Sequence, residues 1–392
     1  MKIALTRYMK GDRVIWAVVF LLSLFSLLAV YSSTGTLAYR YQEGNTEYYL
    51  IKHLALLLAG FAIIYLFHTI KYTYYSRMSQ VAVYLSIPLL LLTLVMGTNL
   101  NAANRWLTLP VINLTFQTSD LAKLALIVYV ARLLSKKQHL MNNFKEAFVP
   151  IILPIAIVCA LILPADFSTA VILFATCTIL MFLGGMRIRY LLGLGGVSLL
   201  TAGLLSLLLF TLPDDMLLGR MSTWKSRLQE FFNASGEESA DSHDKNYQVE
   251  QSKIAIASGG FVPKGPGKSR QRNFLPHPYS DFIYAIIIEE YGSILGGTTI
   301  LLLYMILLYR ITRISIRNPG SFGAMLAMGC GLLLILQAMI NMAVAVGIVP
   351  VTGQTLPLVS MGGTSIIFTS AALGIILSVS RERGTEKVTV NA

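Results

Sequence analysis

The 392-residue chain is 55% hydrophobic and 13% charged, with a formal net charge of +12. A soluble domain of this length needs far more charge on its surface, so the composition excludes one and indicates a polytopic membrane protein. The excess cations sit in short links between apolar runs, which argues against nucleic acid as their partner.

Ten apolar runs follow one another: 14–33, 49–67, 78–97, 119–135, 147–163, 168–185, 190–211, 282–309, 322–346 and 363–380. About 20 apolar residues cross the hydrocarbon core as a helix. Backbone at that depth must bond internally, so each run is predicted as a transmembrane helix and the fold class as all-α. Polar residues interrupt the starts of the fourth and tenth runs. The first run is too long for a signal-peptide core and lacks a small-residue cleavage site, so it reads as a retained span. Cys159, Cys177 and Cys330 lie within apolar runs and read as packing residues rather than disulfide or zinc ligands.

Alternate links carry the cations: Lys71 and Arg77, then Arg132, Lys136, Lys137 and Lys145, then Arg187 and Arg189, then Arg310, Arg313 and Arg317. The other short links hold little beyond Arg40, Lys52 and Arg105. The positive-inside rule therefore puts both termini in the cytoplasm and a large loop, 212–280, outside. No internal repeat or separate soluble domain divides residues 1–392. Within the loop, 233–244 is polar and predicted to be mobile. Residues 247–258 read as a short amphipathic helix at the membrane surface.

The loop then becomes cationic. Residues 251–280 hold Lys253, Lys264, Lys268, Arg270 and Arg272 and no acid, and Asp281 follows at the threshold of the eighth run. A basic, glycine-punctuated loop ending in one carboxylate suggests chemistry on an anionic, membrane-borne substrate. Gly265-Pro-Gly-Lys268-Ser lacks the first glycine of a nucleotide phosphate loop, since position 262 is Val262. The remaining glycines and cations suit a pyrophosphate; a basic loop touching lipid headgroups is the alternative.

Ionisable groups are costly in a bilayer, so the carboxylates at or within runs are functional candidates: Asp120, Asp166, Asp281, Glu289 and Glu290. Asp281 can serve as a general base or as a helix cap beside Ser280. Glu289 lies about 80° around a helix from Asp281, the better placed of its pair to face a cavity, although structural pairing suits both glutamates. Asp120 and Lys123 are three apart and share a helix face. Asp166, ahead of Ser168 and Thr169, fits either a cap or a site role. Arg105 beside Trp106 is a cation able to meet phosphate. Residues 350–365, with Pro350, Gly353, Pro357, Gly362 and Gly363, predict irregular backbone lining a cavity, supported by Thr352, Ser360 and Ser365. An ordinary exterior turn is the alternative.

Together these segments resemble the SEDS family (shape, elongation, division and sporulation). Arg105-Trp106 and Gln117-Thr-Ser-Asp120-Leu-Ala-Lys123 are similar to its R-W and Q-P-x-E-L-x-K elements. Ala165-Asp166-Phe-Ser-Thr169 is similar to P-D-x-G-T, and Leu275-Pro276 with Ser280-Asp281-Phe-Ile to L-P-x-x-x-T-D-F-I. Glu289-Glu290-Tyr-Gly292 resembles E-E-x-G, and 350–365 resembles P-x-x-G-x-x-L-P-x-x-S-Y-G-G-x-S. Departures are Thr118 for Pro, Asp120 for Glu, Pro164-Ala165 for Gln-Pro and Met361 for Tyr.

The resemblance implies a peptidoglycan glycosyltransferase polymerising lipid II by inverting transfer at the outer face of the bacterial inner membrane. It makes Asp281 the catalytic acid residue. Arg105, Lys123, Lys264, Lys268, Arg270 and Arg272 would meet the pyrophosphate, while Asp120, Asp166 and Glu289 support the cavity. It also implies a class B penicillin-binding protein as transpeptidase partner. Overall similarity leans to division members (FtsW) over elongation members (RodA); a lipid II flippase is the rival class. No cofactor is certain: a divalent cation could help stabilise the leaving group, although no ligand cluster demands one.

Overall fold

The computed structural model describes residues 10–100, 103–109, 114–211, 225, 243–261, 263–318 and 320–390. Helices α1 (Arg13–Ser33), α2 (Gly35–Tyr41), α3 (Thr46–Thr69) and α4 (Tyr72–Met96) come first. Three short strands follow: β1 (Thr98–Leu100), β2 (Ala103–Leu109) and β3 (Leu114–Gln117). Then come α5 (Thr118–Lys136), α6 (Val149–Ile162), α7 (Phe167–Leu183) and α8 (Ile188–Thr211). Helices α9 (His243–Gly259), α10 (Ile283–Gly292), α11 (Thr299–Ile316), α12 (Ser321–Ala345) and α13 (Gly363–Val390) complete the order.

Among the described residues, eight helical segments are long and apolar enough to cross a membrane. Helix α7, with 17 residues, is apolar but shorter. Helix α5 occupies the fourth predicted run and carries Asp120, Lys123 and Arg132, all buried. Helix α12 is the centre of the bundle, packing against α5, α7, α11 and α13. Helices α3 and α13 meet closely because Gly60 and Gly374 lack side chains; a Cβ at either would press on Ser370 Oγ or Phe67 Cβ. The three cysteines are buried and unpaired in disulfides. Away from the site, Asp12 caps α1 through Val14 N (2.9 Å) and pairs with Arg310 on α11 (2.5 Å).

Helix α8 stands apart. Leu209 is its single buried residue, and Leu192, Leu199, Leu200 and Leu204 are each more than 60% exposed.

Three expectations need correction or extension. The all-α class holds for most of the chain but omits an antiparallel sheet of order β1-β2-β3, in which Trp106 pairs with Gln117 and the Phe116 ring lies tilted against that of Phe368 on α13, centroids 5.7 Å apart. A chain that must leave α4 and re-enter as α5 bonds its own backbone as hairpins there. The amphipathic helix of 247–258 is part of a longer helix, α9, one face of which docks on protein. Ser252 and Ala255 are fully buried, and Ser252 Oγ donates to Ala345 O (2.7 Å). The eighth run is two helices, not one. Gly292 adopts φ 80° and ψ 166°, a conformation that ends α10, and a π-helical turn, Ser293–Thr298, starts α11. Ser293–Ile316 alone is about 36 Å long at 1.5 Å per residue, so α10 is not needed for the crossing. The polar segment 233–242 lies outside the described residues.

Between α12 and α13 the backbone is irregular yet buried at Gln354, Leu356, Leu358, Val359 and Ser360. Its carbonyls find side-chain donors: Tyr304 OH donates to Pro357 O (2.5 Å) and Ser26 Oγ to Val359 O (2.8 Å). Tyr304→Phe would leave a buried carbonyl without its donor. It is expected to cost about 1–3 kcal/mol, read as a lowered midpoint of thermal unfolding in detergent, whereas an unchanged midpoint would mean the bond contributes nothing net.

Candidate active site

Asp281 lies in a turn just ahead of α10. That helix begins at Ile283, with Phe282 at its cap position and no acid in its first turn. The helix-cap reading of Asp281 is therefore not the geometry found. The carboxyl is partly exposed, and Ser280 Oγ donates to its Oδ1 (2.9 Å). Gly353, at φ 69°, passes close by; a Cβ built there would stand 3.8 Å from Asp281 Oδ2. A glycine meets the positive φ without strain and brings no side chain against that oxygen. Burial first, and the Asp281 charge second, push the Tyr279 phenol above its ordinary pKa, so it remains a protonated donor.

The main chain around Asp281 is tied down at three successive carbonyls. Met361 N donates to Tyr279 O (2.9 Å), Ser360 Oγ to Ser280 O (2.6 Å) and Asn341 Nδ2 to Asp281 O (3.0 Å). Ser360 Oγ also accepts from Leu356 N (2.8 Å). Below, Leu275, Phe282, Ile286 and Val344 form a small apolar cluster that seats the turn.

The same network gathers distant segments. Asn341 Nδ2 donates to Gln354 O (2.7 Å), and Gln354 Nε2 donates to Thr169 Oγ1 (2.9 Å). Asp166 caps α7 by accepting from Thr169 N (3.1 Å). Asp166, Gln354 and Asp281 are thereby linked through hydrogen bonds although they come from three predicted motifs. Ser365 shares a bond with Thr355 (3.0 Å), and Thr352 is partly exposed next to Gly353.

Asp120 and Lys123 pair across one turn of α5 (2.7 Å), both nearly buried. Thr118 and Ser119, just before them, line a small cleft with Ala165 and Asp166. Arg105 lies in β2; its side chain is outside the described residues.

The four loop cations divide into two kinds. Lys264 Nζ pairs with Glu289 Oε1 (3.0 Å), and Arg272 Nη1 donates to Ser32 O (2.9 Å) and Ser32 Oγ (3.3 Å). Ser32 in turn donates to Glu290 Oε1. Lys268 and Arg270 have exposed side chains. Glu289, fully buried, also accepts from Ser269 Oγ (2.5 Å), Arg270 N (3.0 Å) and Gln271 N (3.3 Å). Backbone amides and a lysine thus converge on one carboxylate, which fixes the loop in place. Glu290 receives Ser269 N (3.3 Å), and its own carbonyl takes Gly265 N (2.9 Å).

Asn341 lies outside every predicted motif, while Tyr279, Ser280 and Gln354 lie within motif segments without having been given a site role. A signal for Asn341 was present: with Gln337 it is a polar pair one turn apart in an otherwise apolar run, and such residues in membrane helices bond across helices. Among the described residues no three His, Cys, Asp or Glu side chains cluster as metal ligands. Glu289→Gln removes the charge on which the loop converges. Trypsin cleavage after Lys264, Lys268, Arg270 or Arg272 is expected to accelerate about tenfold, as local opening becomes cheaper; unchanged cleavage would show that the loop is held by other contacts.

A family model described as "Cell cycle protein", covering FtsW, RodA and SpoVE, matches residues 12–385. The stage V sporulation protein E of Bacillus subtilis (strain 168) is 32% identical over 383 residues, covering 96% of this chain and 98% of that protein. The probable peptidoglycan glycosyltransferase FtsW of Nitrosococcus halophilus (strain Nc4) is 34% identical, covering 88% and 86%. Among solved structures, the rod shape determining protein RodA of Thermus thermophilus superposes with a TM-score of 0.66 at 25% identity, covering 96% of this chain and 99% of that one. A chain from a peptidoglycan synthase complex that coordinates polymerization and crosslinking gives a TM-score of 0.72 at 24% identity, covering 95% and 98%. A match over this much of the sequence, with the same fold, makes the chain a member of the FtsW/RodA/SpoVE family.

Proposed function

We propose that the chain is a peptidoglycan glycosyltransferase that polymerises lipid II into β-1,4-linked glycan, with Asp281 as its general base. The observation that carries this reading is the held yet partly exposed Asp281 carboxylate, one oxygen bonded by Ser280 and the other beside Gly353. Homologues named as peptidoglycan glycosyltransferases supply the reaction class.

In this mechanism Asp281 accepts the proton of the acceptor's sugar hydroxyl as that oxygen attacks the donor's anomeric carbon. The bond from that carbon to the pyrophosphate breaks, and its electron pair leaves on undecaprenyl pyrophosphate with inversion. The leaving group carries the charge, so cations stabilise the transition state. Lys268 and Arg270 are the loop cations available for this, with Arg105 of β2 as a further candidate; Lys264 and Arg272 act by holding the loop, and Lys123 is engaged by Asp120. A divalent ion would arrive with the pyrophosphate as part of the substrate, and no cofactor is invoked.

The proposal includes ten spans, adding α5 and α7 to the eight helical segments, with cytoplasmic termini and the site on the outer face of the inner membrane. It also includes a class B penicillin-binding protein as partner and a septal role in division, in keeping with the FtsW relatives.

Purified protein, with its transpeptidase partner and lipid II, tests the reading. Asp281→Asn is expected to lower polymerisation about 100- to 10,000-fold, the range of general-base catalysis, at unchanged expression and melting. Undiminished polymer from that variant would remove Asp281 from the chemistry, and lipid movement without any polymer would make the protein a transporter. Lys268→Ala with Arg270→Ala is expected to raise KM for lipid II about three- to tenfold, less at high salt. A salt-independent KM would argue against an electrostatic role for both.

A further inference from the structure

We infer that Asn341 is a positioning residue for the reaction: its carboxamide sets the place of the Asp281 main chain, and so of the base. The inference rests on the reading of Asp281 as the general base.

Asn341 sits in the last turns of α12 and is 1% exposed. Its Nδ2 group has two N–H bonds, and each meets a carbonyl: Asp281 O at 3.0 Å and Gln354 O at 2.7 Å. Two acceptors facing one end of the amide fix which end is nitrogen, since the flipped amide would point oxygen at both carbonyls. One buried amide therefore joins the turn that carries the base to the irregular segment that passes beside its Oδ2. The distance between those two pieces of backbone is set by a side chain on a third element, α12, which packs against four other helices at the centre of the bundle.

Gln337 provides the internal contrast. It lies four residues earlier, on the same face of α12, and its Nε2 donates to Thr355 O (2.9 Å), the carbonyl next to that of Gln354. It has the same chemistry, comparable burial (6% exposed) and the same irregular segment as its target, but its amide holds Thr355 alone and gives no bond to the Asp281 turn. A role in stability predicts like effects from both residues; a role in positioning predicts a kinetic effect from Asn341 alone.

The test compares Asn341→Leu, Asn341→Ser, Gln337→Leu and Asp281→Ala as full-length proteins with the partner transpeptidase and lipid II. The readouts are kcat, KM and the melting midpoint. Both Asn341 variants are expected to lower kcat about 10- to 100-fold with KM within threefold, because a misplacement of about 1 Å costs a reaction that much. Gln337→Leu is expected to lower the melting midpoint comparably while kcat stays within threefold. Asn341→Ser, smaller and polar, covers the case in which the leucine variant does not fold. Equal kcat losses at 337 and 341, or a full kcat in a folded Asn341→Ser, would overturn the inference while an inactive Asp281→Ala left the base assignment standing. Activity retained in Asp281→Ala would instead remove the base assignment itself.

Discussion

Non-helical backbone buried inside a membrane protein has carbonyls and amides that no water can reach, and every one of them needs a partner. The segment between α12 and α13 imposes that demand on the rest of the molecule. Three helices answer it with side-chain donors: Ser26 from α1, Tyr304 from α11, and Gln337 with Asn341 from α12; the segment's own Gln354 side chain reaches Thr169 on α7. Hydrophobic burial does not favour helix against helix over helix against lipid tail, so these bonds and close packing decide how the helices stand to one another. Buried His53 extends the pattern, its Nε2 lying 2.6 Å from the same Ser26 hydroxyl that holds Val359.

The acids divide the work by what surrounds them. Asp281 is partly open and has a serine hydroxyl on one oxygen. Glu289 and Glu290 are closed in and gather amides, hydroxyls and a lysine from one loop. Asp120 is closed in with Lys123, an arrangement that keeps two charges inside the bundle as a neutral unit. Local geometry, rather than residue type, separates the carboxylate proposed as the base from those that hold structure together.

Much of this was legible in the sequence. Apolar runs mark the crossing helices because length and hydropathy alone decide whether a segment enters lipid. Asp120 and Lys123 pair as their spacing requires, and Asp166 caps α7 as its position ahead of Thr169 suggests. The strands of 98–117 were missed because a few paired residues carry too little periodicity to stand out. The break at Gly292 hid inside an apolar run, since one glycine at positive φ changes the chain's course without changing hydropathy. Counting cations in the 264–272 loop overstated its field, because charge counts do not reveal which lysine or arginine a buried acid has already engaged. Asn341 stands out in the sequence only as a polar residue in an apolar run, because the carbonyls it holds are brought to it by other segments.

Helix α8 shows the opposite regime. With one buried residue and glycines at 193, 195, 196 and 203 that face open space, it has almost no neighbour among the described residues whose shape its side chains must match. Selection on such a helix can act on its oiliness and length and on little else. Leucine, isoleucine, valine and phenylalanine should therefore interchange freely along it over evolutionary time, while Asn341 and the tightly packed α12 around it should barely drift.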